Sequence, residues 1–280
     1  MHFTMGTCAH VGEVVCVRPR GVLAGSVRDY SGYREHLTGT VSRREFASSA
    51  VLVNLTFGDP ITVVRAQGDG AGTYRESLVT GPRDTSAETL IGGRQHGVQL
   101  ALSPLDAYSI TGTPIRLLSN NFLDVTTLFG RPGSELIERL AEQPSWAERF
   151  RLLDEALTNL RNKGPRPDPV VASAWRALAR TSGAVRVATL ACELGVSRRH
   201  LVRRFTEQAG LPPKTVARIM RFERAITLLH KGEPATFARI AAEAGYSDQA
   251  HLSREIKAFT EGTPSQFAGN RTGSGFAKAA

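Results

Sequence analysis

Two short runs of the chain carry side chains able to read the edges of bases. Arg198, Arg199, Arg203 and Arg204 crowd into the first, and Gln249, Arg254 and Lys257 stand in the second. A guanidinium presents a planar fork of donors that matches guanine O6 and N7, and a glutamine amide matches adenine. At about 100° per helical residue, Leu201 and Phe205 share one face of the first run and Arg199 and Arg203 the opposite one. Arg198 and Arg204 flank the buried face. In the second run Leu252, Ile256 and Phe259 point inward, Ala250, Arg254 and Lys257 point outward, and Gln249 lies near the start. Arg203 and Arg254 fall at equivalent outward positions. His200 and His251 lie at the edge of these faces, where contact with phosphate or a neighbouring side chain is expected rather than catalysis.

Other reactive residues are present without the company that chemistry requires. His36 and His96 stand singly, whereas a metal site in a β-barrel needs paired histidines and a carboxylate, so hydrogen-bonded or surface roles are expected. Gly68-Asp69-Gly70-Ala71-Gly72 has the glycine content of a phosphate loop but lacks the Lys-Ser/Thr that follows one, which suits a hairpin tip. Cys8, Cys16 and Cys192 form neither a disulfide framework nor a CxxC pair. No Ser/His/Asp set or close pair of acids is legible, and neither a catalytic residue nor a cofactor is expected.

The elements that position the two runs are repeated. Ala191-Cys192-Glu193-Leu194-Gly195-Val196-Ser197 recurs as Ala241-Ala242-Glu243-Ala244-Gly245-Tyr246-Ser247. Each copy reads as a short helix stopped by a glycine in the left-handed conformation, an apolar residue in the turn, and a serine (Ser197 or Ser247) that starts the next helix. That is a helix-turn-helix, duplicated. Between the copies Val216, Ile219, Met220, Phe222, Ala225, Ile226 and Leu229 make a helix apolar over a wide arc, which therefore needs neighbours on more than one side. It predicts a spine that fixes one unit against the other.

The rest of the chain divides at Asn162 to Pro169, where alternating prolines stop a helix. Residues 1–162 are expected to form a β-rich, barrel-like or sandwich-like domain. Val51–Phe57 and Ile61–Val64, separated by Gly58-Asp59-Pro60, have a hairpin signature, and Tyr74–Val79 and Val98–Leu102 read as further strands. Two amphipathic helices follow, Ser134–Glu142 and Ser145–Asn162. Their apolar residues, Trp146, Phe150, Leu153 and Leu157 among them, fit a helix core, a dimer seam or a ligand wall. Residues 163–169 read as the linker, 170–268 as the all-α tandem helix-turn-helix domain, and 269–280 as a flexible tail. The fold class is thus α+β in two domains.

Charge follows the same division. Residues 1–164 hold 17 basic and 17 acidic side chains, so the whole net charge of +9 lies in residues 165–280. A neutral half joined to a basic half suits a polyanion partner. No run approaches the roughly 18 apolar residues of a membrane span, and the start lacks the pattern of a signal peptide, so a cytoplasmic protein without a membrane partner is expected.

Residues 170–268 resemble the DNA-binding domain of the AraC/XylS family of bacterial transcription regulators. The resemblance is carried by Leu190-Ala191 to Ser197, Arg199-His200-Leu201 to Phe205, Gly210-Leu211-Pro212-Pro213 and Arg221 to Ala225. It continues through Ile240 to Glu255, its most specific part, and closes with Pro264-Ser265-Gln266-Phe267. It implies seven helices, with two recognition helices in successive major grooves of double-stranded DNA. The family's base-reading positions fall on Arg199, Val202 and Arg203, then Gln249, Ala250 and Arg254. Arg198, Arg204, His251, Ser253 and Lys257 complete the expected contact set. Departures are Val202 and Ala250, which offer only apolar contact, Val216 in place of an aromatic, and the order Glu261-Gly262. The front half resembles, more loosely, the β-rich sensing domain of such regulators. The resemblance implies a transcription factor with RNA polymerase as a partner and leaves a small-molecule effector and a homodimer open. The residues of any effector site are unassigned, as are the effector's identity and the choice between activator and repressor. The rival is a DNA-targeted enzyme of cupin-like or repair type. Repair proteins that pair a zinc-thiolate domain with such a module need four thiolates, and this half has only Cys8 and Cys16. Residues 165–280 are expected to fold and bind DNA alone.

Overall fold

The computed structural model describes residues 4–5, 11–19, 23, 27–66, 72–74, 77–230 and 236–268. Cys8, the glycine-rich run at 68–71 and the tail at 269–280 lie outside the described residues.

The front half is built on two long strands, β3 (Val27–Glu45) and β8 (Ala87–Leu102), paired antiparallel over most of their length. Strands β1 (Thr4–Met5) and β2 (Val11–Val17) lie against the two ends of β3. On the other side of β8 stand β4 (Val51–Thr56) and β5 (Ile61–Arg65), with β6 (Gly72–Tyr74) on β5, and β7 (Ser77–Thr80) and β9 (Phe122–Asp124) beyond β4. All the pairings among the described residues are antiparallel. Alternation follows burial along β8, as a strand with one face in a core requires.

The hairpin expected from Val51–Phe57 and Ile61–Val64 does not form. Strand β4 pairs with residues 97–102 of β8 and β5 with residues 88–90, so both run along one partner. Between them Phe57 N donates to His96 O at 2.7 Å and Asp59 N to Arg94 O at 2.8 Å, which continues the ladder through the bend. Gly58 makes this possible: a Cβ there would fall 2.1 Å from Arg94 O. Gly58-Asp59-Pro60 is a bend in a strand, not a reversal. The strand expected at Tyr74–Val79 is likewise two, β6 and β7.

After β8 come α1 (Pro104–Thr111), a 3-10 turn at Ile115–Leu117, α2 (Val125–Phe129), α3 (Arg131–Glu142) and α4 (Trp146–Lys163). Ser145 caps α4 by accepting from Glu148 N, as its residue type predicts. Helix α4 lies on the sheet, where Tyr30 stacks on Phe150 and donates to Asp154 Oδ1 at 2.7 Å. Phe150, Leu152, Leu153 and Leu157 are all buried, as are Ile137 and Leu140 of α3. Within one chain these residues serve as helix core, one of the roles their spacing fits.

The back half holds seven helices among the described residues: α5 (Pro169–Arg180), α6 (Val187–Glu193), α7 (Arg198–Ala209), α8 (Pro213–His230), α9 (Phe237–Glu243), α10 (Gln249–Thr260) and α11 (Pro264–Phe267). The spine is α8, with Val216, Ile219, Phe222, Ala225 and Ile226 fully buried between its neighbours.

The two halves share a core. Phe46 and Ala47, from the end of β3, and Leu105 of α1 belong to the buried cluster of the back half. Ser49 N and Oγ donate to the Glu223 carboxylate of α8 at 2.9–3.1 Å. Arg44 donates to Thr260 O, Ser86 to Glu261, and Arg116 pairs with Glu207 at 2.6 Å. The proline-rich segment is docked as well. Asp168 caps α5, accepts from Arg204 of α7 at 2.9–3.0 Å, and donates from its N–H to Gln208 Oε1.

Candidate nucleic-acid interface

The duplicated motif forms two units of one geometry. Gly195 and Gly245 take φ of +64° and +78°, the conformation that stops α6 and α9. Past them Val196 N donates to Ala191 O at 3.0 Å and Tyr246 N to Ala241 O at 2.9 Å. These closures aim α7 and α10 in the same sense relative to the helix before each. Ser197 caps α7 by accepting from His200 N. In the second unit the expected cap, Ser247, is displaced: Asp248 accepts from His251 N at 2.7 Å, and Ser247 Oγ donates to Asp248 Oδ2. A carboxylate at a helix start also meets the positive end of the helix dipole. These hydrogen bonds hold the Asp248 carboxyl below its usual range.

The inner faces are as the spacing predicts, with Leu201, Phe205, Leu252 and Ile256 fully buried and Phe259 nearly so. Arg198, Arg199 and Arg203 are exposed on α7, and Gln249, Ala250, Arg254 and Lys257 on α10. Val202, Ser253 and His251 are partly buried at the flanks. His251 turns its ring against Tyr246, with Nδ1 3.1 Å from Ser247 Oγ. Arg204 is the exception among the arginines, because it is held by Asp168 of the linker rather than turned to solvent alone.

Helix α8 fixes the second unit through two arginines. Arg218 chelates Glu255 of α10, with Nη2 at 2.8 Å and Nε at 3.1 Å, and lies over the Phe259 ring. This pairing raises the Arg218 pKa above the ordinary guanidinium value. Arg221 donates to Gly183 O at 2.8 Å and reaches over Tyr246 in the turn. The first unit is held by Trp175 of α5 stacked on Phe205. Two exposed basic faces thus stand against one buried spine, α8.

Among the histidines expected to be structural, His36 is exposed on β3 and His96 is enclosed between Phe57 and Trp146. Burial, then Arg149 and Arg34, push the His96 pKa down to about 4. It is a neutral imidazole at neutral pH, placed among rings. Among the described residues no group of three His, Cys, Asp or Glu side chains could hold a metal ion, and no helix there is long and apolar enough to cross a membrane. Cys16, with Sγ 3.6 Å from Ser31 Oγ, and exposed Cys192 are free thiols.

One feature of the front half had no signal in the sequence. The sheet holds a partly open cavity of about 60 Å³ whose polar lining includes Arg43, Arg83, Asn54, Gln95 and Gln99. Arg43 is ion-paired to Glu35 at 3.0 Å, and Arg83 is 2% exposed. Buried arginines break the apolar alternation by which a strand face is read from sequence.

Residues 190–270 match a family model described as a helix-turn-helix domain. A comparison with curated proteins finds no match. Among solved structures, ToxT from Vibrio cholerae O395 is 14% identical, with 87% of this chain and 97% of that chain covered, at a TM-score of 0.48. The C-terminal domain of AraT, a response regulator from Geobacillus stearothermophilus, is 23% identical over 41% of this chain and 97% of its own, at 0.36. A transcriptional regulator with an AraC-type DNA-binding domain from Chromobacterium violaceum is 25% identical over 38% and 96%, at 0.35.

Proposed function

We propose that this chain, whose residues 190–270 match a model described as a helix-turn-helix domain, is a transcription regulator of the AraC type that reads a specific duplex sequence through both α7 and α10. The observation that carries the reading is the pair Arg203 and Arg254, exposed at equivalent positions of two units joined by one buried helix. Arg199, Val202 and Arg203 face one major groove, and Gln249, Ala250 and Arg254 face the next. Arg198, Arg204, His251, Ser253 and Lys257 contact phosphates, which position the protein without reading sequence. Residues 1–162 serve as the sensing domain, 163–169 as a docked connection, and 170–268 as the DNA-binding domain. The protein acts on cytoplasmic DNA, with RNA polymerase as the partner through which binding becomes regulation.

Self-association through α3 or α4 is not part of this reading, because their apolar faces are covered. One chain, with two recognition helices, is a complete reading unit. Footprinting of the full chain on selected sequences, with stoichiometry from sedimentation of the complex, tests this. The expected result is one chain protecting two successive major grooves, with affinity falling steeply as salt rises. Salt-insensitive binding, or none at any salt, overturns the reading.

A further inference from the structure

We propose that Arg218 is a positioning residue for sequence reading: without touching DNA, it sets the roll of α10 about its axis by chelating Glu255, and so fixes where Arg254 points. This rests on the reading of α10 as a recognition helix given above.

The sign of one charge is out of place for a helix that meets DNA. Glu255 stands directly after Arg254, on a helix whose exposed side carries Gln249, Arg254 and Lys257. An acid there repels phosphate, so its use lies within the protein. Its side chain is only 12% exposed and turned toward α8. Arg218 Nη2 donates to Glu255 Oε1 at 2.8 Å and Nε to Oε2 at 3.1 Å. The same guanidinium lies over the Phe259 ring, 5.1 Å from its centroid, and Phe259 packs on Phe222 of the spine. One arginine of α8 thus holds two residues of α10 that lie one turn apart.

Apolar burial alone does not fix the roll of a helix. Leu252, Ile256 and Phe259 hold α10 against its neighbours, but apolar contact is non-directional and leaves small rotations cheap. Two parallel hydrogen bonds between planar groups are directional. Side chains stand about 5–6 Å from a helix axis, so a roll of about 10° moves them about 1 Å. Hydrogen-bond distances vary within only about half an ångström, so that roll spoils a bidentate contact with a base edge. It changes an attraction to phosphate far less, because charge interactions fall slowly with distance.

The first unit is held differently. Arg203 and Arg254 are equivalent, so Arg204 of α7 is the counterpart of Glu255, with the charge reversed. Arg204 pairs with Asp168 at 2.9 Å. There the cation rides on the recognition helix, and a DNA phosphate can replace Asp168 as its partner. In the second unit the acid rides on α10 and the cation on α8, so phosphate cannot take the place of Arg218. The setting of α10 is independent of DNA.

The test compares full-chain variants on the selected operator and on random duplex by fluorescence anisotropy, with melting temperatures to verify folding. Glu255→Gln is the decisive variant. It removes an acid from a helix that meets a polyanion, so a plain charge effect raises affinity for every duplex. The proposal expects operator affinity to fall by about tenfold, within the range of one bidentate base contact, while random-duplex affinity holds or rises. Arg218→Lys keeps the charge but loses the planar fork, and should also lose discrimination. Arg218→Met should do the same with an unchanged salt slope. Asp84 of the front half lies within electrostatic reach of Arg218 without chelating it, so Asp84→Asn should leave discrimination at the wild-type value. A slope reduced by about 0.9 in Arg218→Met makes Arg218 a phosphate contact and overturns the proposal. So does an equal loss in Asp84→Asn, which traces the effect to the local field. Should Arg218→Met fail to fold, Glu255→Gln and Arg218→Lys decide the matter. Wild-type discrimination in both, when folded, defeats the proposal alone. A wild-type chain that prefers no sequence defeats the DNA-reading function, and the proposal with it.

Discussion

The ring of Phe46 meets the ring of Phe267 edge-on, with centroids 5.4 Å apart and planes at 74°. One residue follows the end of β3 in the front half and the other closes the last helix of the back half, so this aromatic contact anchors the front half in the core of the back half. Phe46→Ala should destabilise the full chain by about 3–5 kcal/mol, as expected for a buried aromatic removed from a packed core. Urea unfolding followed by circular dichroism checks this, and a loss below 1 kcal/mol, within the range of surface substitutions, would mean that the contact holds little. A fragment beginning at residue 165 loses Phe46, Ala47 and Leu105 from its core. It should still fold and bind DNA, as its charge predicts, but with a lower melting temperature than the same helices have in the full chain.

Arg203→Ala and Arg254→Ala should each weaken specific binding by about 1–3 kcal/mol, the range for a lost bidentate base contact. Binding to random duplex should change less. Arg204→Ala should cost less specificity than either, because Asp168 holds that guanidinium. Its exposed ion pair contributes only about 0.2–1 kcal/mol to stability. Fluorescence anisotropy on specific and random DNA measures all three, and equal losses on both would make the two outward arginines phosphate contacts.

Salt separates the positioning contacts from the reading ones. Lys257→Ala removes one phosphate contact in the proposed interface, so the slope of log K against log salt should fall in magnitude by about 0.9. Ala250→Gly removes no charge and should leave the slope unchanged. A slope unaltered by Lys257→Ala would place that side chain off the DNA.

His96 makes the stability of the front half depend on pH. Its folded pKa, about 4, lies below the ordinary value of 6.5. The unfolded chain therefore binds the proton first, so the neutral imidazole stabilises the fold above pH 6.5. That contribution is lost as pH falls toward 4. His96→Phe, which cannot be protonated, should flatten the stability profile between those limits. Trp146 lies against the imidazole with ring centroids 5.5 Å apart, so its fluorescence offers a second readout of the titration. An identical acid slope in the variant would assign the effect to other groups.

What the sequence made legible, and what it did not, has a physical pattern. The tandem units were readable because a helix stop demands a residue tolerant of positive φ, and glycine recurs at 195 and 245. The buried faces of α7 and α10 were readable because helical period maps directly to burial. Strand pairing was not. Alternation identifies a strand without naming its partner, so Val51–Phe57 and Ile61–Val64 suggested a hairpin although both lie on β8. The cap of α10 was missed by one residue because Ser247 and Asp248 are both good caps, and geometry chose between them. The exposed arginines of α7 stood out as a cluster against apolar neighbours. Arg43 and Arg83 did not, since nothing in one sequence distinguishes an arginine inside a sheet from one on its surface. The shared core was illegible for a related reason: Phe46 looks like any strand-end aromatic until the second half is beside it.

The attachment of the front half to both ends of the DNA-binding half has a consequence for operator geometry. The first unit is gripped through Arg116–Glu207 and through Gly210 against Ile115 and Ser119; the second is gripped through Arg44–Thr260, Ser86–Glu261 and Phe46–Phe267. A body fastened to both arms of a divider fixes its opening. Inserting one base pair between the two recognition segments moves them about 3.4 Å apart and turns them by about 35° around the duplex. With both arms held, the protein can follow neither displacement without breaking contacts between its halves. Its operators should therefore tolerate base changes more readily than changes in length, and a sequence with the right bases at the wrong phase should be read as random DNA.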